Sequence, residues 1–423
     1  MREMKDSGVE WIGEIPVDWK LNKIKHHFSI SSGTTPKSDE PEYWDGDIVW
    51  ITPADFKTDD VYVSDGHRNL SQEGYRVSSL QLVPAGSIIF SKRAPIGQVV
   101  INAIDLCTNQ GCLTAVLNDD SDVRFYRYVM SIATEEFELA GSGTTFKEIS
   151  ATSFGNILLP LTSKQEQTKC ADYLDVKSSK IDEIIEKQQA IIEKLKEYKL
   201  SIITEAVTSG INPDVEMKDS GSVWFGSIPI NWQMKRLKYV FHIQKDIAGE
   251  EGHTVLSITQ RGIIPKDFSN NEGQFANSYA NYQLVHKGDF AMNHMDLLTG
   301  WVDISKYEGV TSPDYRVFVL NDKNGMCPEY YLYMMQMCYS ARIFYGLGQG
   351  VSGMGRWRLQ ADKFLNFHIP IPPYDEQKII ADYITDKVNH IEVEIDKRNK
   401  LIEKYQEYKK SLNYEVVTGK KEV

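Results

Sequence analysis

The sequence is poor in cysteine and has no long apolar stretch, and these two shortages exclude several classes of protein. Five cysteines at irregular spacings among 423 residues do not form a disulfide framework or a four-ligand zinc site, which need closer pairs. No apolar run reaches the roughly 18–20 residues that span a bilayer, and the first residues do not resemble a signal peptide. We therefore expect a cytoplasmic protein with reduced, partly buried thiols at Cys107, Cys112, Cys170, Cys327 and Cys338.

Positive charge is also scarce. The chain has 47 Lys and Arg against 59 Asp and Glu, which gives a formal net charge of −12. Proteins that bind nucleic acids without help usually carry a basic face. Any contact with DNA must therefore come from local basic loops, together with a partner that neutralises much of the phosphate charge.

What the sequence does contain is an internal repeat, which decides the architecture before any other feature. The segment Met4-Lys5-Asp6-Ser7-Gly8 recurs at Met217, a displacement of 213 residues. At this displacement 12 of the 25 positions from Met4 to Phe28 are identical, including Trp11 and Trp19. We interpret these tryptophans as packing residues of a compact turn, because a buried indole ring contributes a large apolar area.

A second repeated block is displaced by 210 residues, with 19 identities in the 43 positions from Glu166 to Thr208. Apolar residues recur in it at steps of three and four, which predicts a helix of about 60 Å with a one-sided seam. A helix with such a seam is not stable alone in water. We expect its two copies to pack on each other within one chain, and an intermolecular coiled coil is the alternative.

The stretches between the repeated blocks, roughly residues 30–158 and 243–367, have nearly equal lengths and little common sequence. We call the repeated blocks the frame. A duplicated frame with divergent segments between its blocks is expected if the two segments recognise different targets. The predicted fold is α+β, with two globular domains separated by two long antiparallel helices in an intramolecular coiled coil and a pseudo-two-fold repeat. The predicted boundaries are 1–158 for the first domain, 159–212 for the central helix, 213–368 for the second domain and 369–423 for the distal helix.

Short strands and two helices are predicted inside the divergent segments. Runs rich in β-branched and aromatic residues between turn residues indicate the strands. The strand candidates are 47–52, 86–91, 98–101, 289–292, 300–302 and 315–320, and the helix candidates are 125–139 and 330–344.

Motifs that would support catalysis are incomplete. In Ile371-Pro372-Pro373-Tyr374, isoleucine stands where an adenine methyltransferase needs a polar side chain to hold the amine of a flipped base. We interpret this segment as the linker before the second long helix. A glycine-rich cofactor loop follows a strand and precedes a helix. The glycines at 346–350 follow a predicted helix instead, and we predict a flexible loop there. We expect no catalytic site and no metal site.

Several loops combine small residues with amides and cations, which is the chemistry that reads DNA. Arg and Lys bridge guanine, Asn and Gln bridge adenine, and hydroxyls suit phosphates. Any one such loop is more commonly a solvated surface loop. The candidate DNA-binding residues are Lys92, Arg93, Asn109, Gln110, Ser142, Thr144 and Lys147 in the first segment, and Gln260, Arg261, Asn293, His294, Arg356 and Arg358 in the second.

Together these features resemble the specificity subunit of type I restriction–modification systems. The resemblance rests on the Lys-Asp-Ser-Gly…Trp-x-Gly-x-Ile-Pro…Trp blocks, the helices that start at Glu-Gln pairs and the two divergent segments. It covers essentially the whole chain. It implies that each divergent segment is a target-recognition domain reading one half of a split DNA site. A helical spacer of about 60 Å would place the domain centres on the order of 15–18 base pairs apart.

The resemblance also implies the partners. The long helices would dock two modification subunits, which carry S-adenosylmethionine and methylate adenine. Separate motor and nuclease restriction subunits would use ATP and magnesium, and this chain would need no cofactor of its own. Three alternatives remain: a coiled-coil scaffold that never touches DNA, a specificity subunit without a cognate nuclease, and a self-contained methyltransferase, against which the broken motifs count.

Overall fold

The computed structural model describes residues 2–56, 61–143, 147–268, 276–350 and 357–423. The chain forms two compact units, and each of the two long helices contributes to both. Unit 1 combines the chain up to Gln188 with Lys400–Val423, and unit 2 is Gln189–Asn399. Within the described ranges, no helix is both long enough and apolar enough to cross a membrane.

Unit 1 contains twelve described strands and five short helices before the first long helix. Its elements are β1 Met4–Asp6, β2 Glu14–Pro16, β3 Lys20–Lys23, α1 Ile24–His27, β4 Phe28–Ser32, β5 Trp44–Ile51, β6 Tyr62–Val63, β7 Arg68–Leu70, α2 Gln72–Val77, β8 Ile88–Ser91, β9 Val99–Asn102, β10 Cys107–Thr108, β11 Cys112–Leu117, α3 Val123–Ile132, α4 Thr134–Ala140, α5 Ala151–Asn156 and β12 Leu158–Leu161, followed by α6 Lys164–Ser209.

The main sheet of unit 1 has the strand order β4-β11-β8-β9-β6, and β10-β5-β7 form a second sheet. The central strands β8 and β9 are buried at every position, which explains why their sequences are continuously apolar rather than alternating. The ring of Phe90 on β8 packs edge-on against Phe137 and at a tilt against Phe154, with centroids 4.7 and 4.6 Å away. The core of unit 1 therefore lies between this sheet and the short helices.

Unit 2 carries the second set of elements. They are β13 Met217–Asp219, β14 Ser227–Pro229, β15 Gln233–Arg236, β16 Phe241–Gln244, β17 Leu256–Thr259, β18 Gly262–Pro265, β19 Gln283–Val285, β20 Phe290–Met292, β21 Val302–Ile304, β22 Gly309–Thr311, β23 Arg316–Leu320, α7 Pro328–Ser340, α8 Ile343–Leu347, α9 Ala361–Asn366 and β24 His368–Ile371, followed by α10 Tyr374–Val417. Its main sheet has the order β16-β23-β20-β21, with β17-β18 and β19-β22 as separate pairs. The aromatic core centres on Phe241, whose ring meets Phe290 and Phe318 at about 5 Å.

The repeated frame is the same structure in both units. β1 pairs antiparallel with β2 so that Met4 lies opposite Pro16, and β13 pairs with β14 so that Met217 lies opposite Pro229. β3 pairs with β12 as β15 pairs with β24. The β3–β12 and β15–β24 pairs bring together the chain just before and just after each divergent segment. Each segment is therefore an insertion between two paired strands.

The predicted antiparallel packing of the long helices is confirmed in each unit. In unit 1 the Lys409 Nζ lies 2.6 Å from an Asp182 carboxylate oxygen, and in unit 2 the Lys199 Nζ lies 2.5 Å from Glu392. The buried seam comprises Ile181, Ile192, Ile202, Ile391 and Ile402. The apolar spacing in the sequence therefore marks much of the face on which α6 and α10 meet. Tyr198, Leu401 and Tyr408, which the same spacing placed on that face, are exposed instead.

Three local predictions needed correction. The helix expected over 125–139 is divided at Ala133 into α3 and α4, where the Thr134 hydroxyl bonds to the Ser131 carbonyl and competes with the helical bonding pattern. The helix expected over 330–344 stops before Arg342, whose φ of 57° is left-handed and cannot continue a right-handed helix. The loop expected over 346–350 begins inside α8.

Candidate nucleic-acid interface

In unit 1 the carboxylate of Glu148 holds two of the candidate DNA-binding cations. Lys92 Nζ lies 2.9 Å from one oxygen and Arg93 Nε lies 2.8 Å from the other. The hydrogen bond from Lys92, with the one from Arg93, lowers the pKa of Glu148. The Lys92 side chain is only 13% exposed, whereas that of Arg93 is 49% exposed. Arg93 is therefore the cation of the pair that presents donors to an approaching molecule.

Backbone hydrogen bonds bring the three candidate loops of unit 1 together. The Lys92 N–H donates to the Gly111 carbonyl at 2.9 Å, and the Ile149 N–H donates to the Lys92 carbonyl at 3.0 Å. Ser142 and Glu148 exchange two backbone bonds of 2.9 Å. Loops whose bonded residues are up to 57 positions apart in sequence (Lys92 and Ile149) thus form one surface. Glu148 is the residue at its centre that sequence reasoning missed.

The remaining candidates of unit 1 differ in how available they are. The Asn109 Oδ1 accepts the backbone N–H two residues further on at 2.8 Å, so this side chain closes its own turn. Gln110 is exposed and its Oε1 accepts a hydrogen bond from the Thr35 hydroxyl. Lys147 is exposed, and Thr144 lies outside the described residues. The amide nitrogen of Gln110 and the ammonium of Lys147 are groups that a nucleic acid could reach.

In unit 2 the candidates near Gln260 and Asn293 belong to neighbouring turns. The Gln260 Nε2 donates to the Thr299 carbonyl at 3.3 Å. The Asn293 Oδ1 accepts the N–H of Met295 at 3.2 Å, so it supports the turn that ends near Thr299. Arg261 is exposed between β17 and β18. These two neighbouring turns therefore present the exposed guanidinium of Arg261, while the amides of Gln260 and Asn293 already form hydrogen bonds with nearby backbone groups.

His294 and Arg358 lie together in a cavity of about 230 Å³. The two loops are joined by a hydrogen bond of 3.0 Å from the Leu359 N–H to the His294 carbonyl. Burial, followed by the nearby charges of Arg316, Arg358 and Lys245, lowers the pKa of His294 to about 3. His294 is therefore neutral near pH 7, in surroundings of positive potential. Arg356 lies outside the described residues.

Arg316 in the same cavity was not among the candidates. It is the first residue of β23 and only 5% exposed, and burial lowers the pKa of its guanidinium to about 10. Its Nη2 donates to the Leu359 carbonyl at 2.8 Å, and the guanidinium lies 5.0 Å from the Phe364 ring centroid. The sequence carried one clue to it: Arg316 is the single cation in the predicted strand 315–320, whose other residues are apolar or aromatic.

No cluster of three or more His, Cys, Asp or Glu side chains suited to a metal ion occurs in the described ranges. All five cysteines are free thiols and are buried. Burial raises the pKa of the Cys107 thiol to about 11, so this group is protonated at neutral pH. Pro372 and Pro373 lie between β24 and α10, which confirms that they link the insertion to the second long helix.

Two units with one frame, each bearing a different segment with exposed amides and cations, define a two-part recognition protein. The chain belongs to the family described as the type I restriction modification DNA specificity domain, whose model matches residues 16–198 and 229–404. Each match covers one divergent segment and most of the following long helix. A scaffold protein that does not bind DNA is therefore not the favoured interpretation.

Similar proteins are described as specificity subunits of type I restriction enzymes. The chain is 36% identical over 190 residues to the type I restriction enzyme MjaIX specificity subunit of Methanocaldococcus jannaschii, an alignment that covers 44% of this chain and 43% of that protein. It thus spans less than half the length of that relative. The MjaVIII specificity subunit of the same organism is 22% identical over 428 residues, covering 96% of this chain and 93% of that subunit.

Among solved structures, a chain from a study of complex assembly and conformational transition of the type I R-M system has a TM-score of 0.70. Its sequence is 11% identical, and the match covers 95% of this chain and 98% of that one. At this identity the likeness shows the fold alone. It agrees with the predicted α+β architecture of two domains and two long helices.

Proposed function

We propose that this chain is the sequence-reading subunit of a type I restriction–modification complex. Each divergent segment reads one half of a bipartite DNA site, and the chain itself performs no chemistry on DNA. The observation that carries the proposal is the pairing of one repeated frame with two unlike segments. The duplicated frame would place the two segments equivalently, one on each half of the DNA site. The divergence of the segments fits two half-sites of different sequence.

The equivalence of the frame extends to individual hydrogen bonds. Lys5 Nζ donates to the Val17 carbonyl at 2.8 Å in unit 1, and Lys218 Nζ donates to the Ile230 carbonyl at 2.7 Å in unit 2. The inserted sheets, by contrast, differ in strand number and order. Selection for one shared activity would preserve the segments as well as the frame, whereas selection for two targets preserves only the frame.

The exposed donors fit the reading of DNA. Arg93 and Arg261 present guanidinium groups, which can bridge the two acceptors of guanine, and Gln110 can bridge adenine. Ser142 and Lys147 suit phosphates, which fix the register of a protein on the duplex. With a net charge of −12, these local groups need partners that supply further positive charge near the backbone.

We infer that the partners are two modification subunits and separate motor and nuclease subunits. S-adenosylmethionine, ATP and magnesium are then bound by those partners, and the complex acts in the cytoplasm. The long helices offer docking positions, since several apolar side chains outside the α6–α10 seam are exposed. These are Val176, Tyr198, Ile379, Tyr383, Val393, Leu401 and Tyr408.

Co-expression with a candidate modification subunit, followed by mapping of methyladenine across the host genome, tests the proposal. We expect one bipartite motif with a fixed gap. Exchange of residues 243–367 for the corresponding segment of a relative should change one half of the motif, and exchange of residues 30–158 should change the other. A change in both halves, or in neither, after a single exchange would contradict the assignment of one segment to one half.

A further inference from the structure

The cavity in unit 2 is lined by three cationic side chains. They are those of Lys245, Arg316 and Arg358, and Asp314 is the one carboxylate beside them. In the described part of the chain, none of the three cations forms an ion pair with a carboxylate. Asp314 therefore offsets part of the positive potential from a distance, and the cavity keeps an excess of positive charge.

Of the three cations, Arg316 is the most buried, so an anionic partner would stabilise it most. Its side chain is 5% exposed, and a buried charge costs several kcal/mol unless a partner compensates it. Among the described residues, the acceptors it reaches are the neutral Leu359 carbonyl at 2.8 Å and the weakly accepting Met292 Sδ at 3.9 Å. A guanidinium has five N–H donors, so several remain for a ligand.

His294 adds a neutral polar group to the same cavity. Its Nδ1 is buried and has no hydrogen-bond partner among the described residues. Buried polar atoms in folded proteins nearly always have a partner, so an unsatisfied nitrogen in a cationic cavity is consistent with a ligand that is absent from the isolated chain. Lys245 and Arg358 are exposed, so the cavity opens to solvent on their side.

We propose that this cavity binds one phosphate group of the DNA backbone, with Arg316 as the inner anchor and with Arg358 and Lys245 at its open side. A guanidinium matches the geometry of a phosphate, which it can bind through two parallel hydrogen bonds. A volume of about 230 Å³ is ample for a group of five heavy atoms, since one water occupies roughly 30 Å³. The inference rests on the proposed DNA recognition and gives this cavity the task of fixing the second segment on the duplex.

The test compares Arg358→Gln and Arg316→Lys with the control Arg236→Gln, which removes an exposed arginine of unit 2 outside the cavity. Each protein is assembled with its modification subunits, and binding of the complex to mixed-sequence duplex DNA is measured by anisotropy over a range of salt concentrations. Loss of one phosphate contact should reduce the slope of log K against log salt by about one. Arg358→Gln should show this reduction and the control should not. Arg316→Lys keeps the positive charge but loses the paired N–H donors of the guanidinium. It should therefore weaken binding while changing the salt slope less than Arg358→Gln does.

A second titration uses inorganic phosphate and follows the thermal midpoint of each protein. Phosphate should raise the midpoint of the wild type and of the control more than that of Arg358→Gln. If the wild type binds duplex and both cavity variants bind it unchanged, the cavity inference fails while DNA recognition stands. If the wild type assembled with modification subunits binds no duplex, the proposed function and the DNA source both fail. Binding of inorganic phosphate in that case would identify a free anion as the ligand.

Discussion

The indole N–H of Trp232 donates a hydrogen bond of 2.9 Å to the carboxylate of Glu376, whereas the equivalent Trp19 has no acceptor among the described residues. Both rings are fully buried. In unit 1 the carboxylate of Glu166 pairs instead with Arg2 at 2.6 Å. The frame has thus kept its tryptophans and changed the partner of its glutamates.

Replacement of each tryptophan by phenylalanine should separate these two environments. Both variants lose ring area, but only Trp232→Phe also loses a hydrogen bond to a charged group, worth about 1.5–3 kcal/mol. Trp232→Phe should therefore lower the free energy of unfolding by more than Trp19→Phe does. Denaturant unfolding monitored by circular dichroism measures the difference, and equal losses would contradict the role assigned to Glu376.

The repeated glutamines anchor the long helices to the inserted segments. The Gln377 Oε1 accepts the Cys327 N–H at 3.0 Å, and the Gln167 Oε1 accepts the Asp122 N–H at 2.9 Å. Gln377→Leu should cost about 1–3 kcal/mol, because it leaves a buried N–H without an acceptor. Gln189→Leu, at an exposed position of α6, serves as the control. A loss no larger than the control's, measured by thermal or denaturant unfolding, would show that the anchor is unimportant.

Arg93 should contribute to DNA binding. Arg93→Ala is expected to weaken binding to the cognate duplex by roughly 1–3 kcal/mol if the guanidinium bridges a guanine, with relaxed specificity at one base of the first half-site. Arg76 is a matched control, since it is also exposed and paired with a glutamate. Unchanged affinity and an unchanged methylation pattern in Arg93→Ala would remove this loop from the interface.

His294 should make unit 2 sensitive to acid. Its folded pKa is lowered to about 3 from an ordinary value of 6.5, first by burial and then by neighbouring cations. Between these two values the unfolded chain binds the proton and the folded chain does not, so stability falls as the pH drops from 6.5 towards 3. His294→Gln should lose stability less steeply over this range in thermal unfolding, whereas the exposed His368→Gln should behave as wild type. Identical pH profiles for His294→Gln and wild type would contradict the shift.

The features that local sequence determines were predictable. The apolar seam placed the first long helix at 166–208, and it runs over Lys164–Ser209. The apolar residues of the seam recur every three or four positions, so the helix can be predicted without information about contacts that are distant in sequence. The strands predicted at 86–91 and 98–101 correspond to β8 and β9, because continuous apolar runs between turn residues fix a buried strand by themselves.

The site depended on contacts that a local pattern does not encode. Glu148 is 55 residues from Arg93 in sequence, so nothing near either residue indicates that they pair. Arg316 lay inside a correctly predicted strand, where its side chain drew no attention as a ligand-binding group. The loops were found from their composition, but which donors are exposed follows only from tertiary structure.

The pairing of β15 with β24 has a consequence for any exchange of the second segment. Arg236 lies opposite His368 in that pair, so the chain leaves the frame and returns to it at the same place. Replacing everything between these two residues leaves both junctions where they were. Exchange of the whole insert would therefore leave the frame and both long helices as they are.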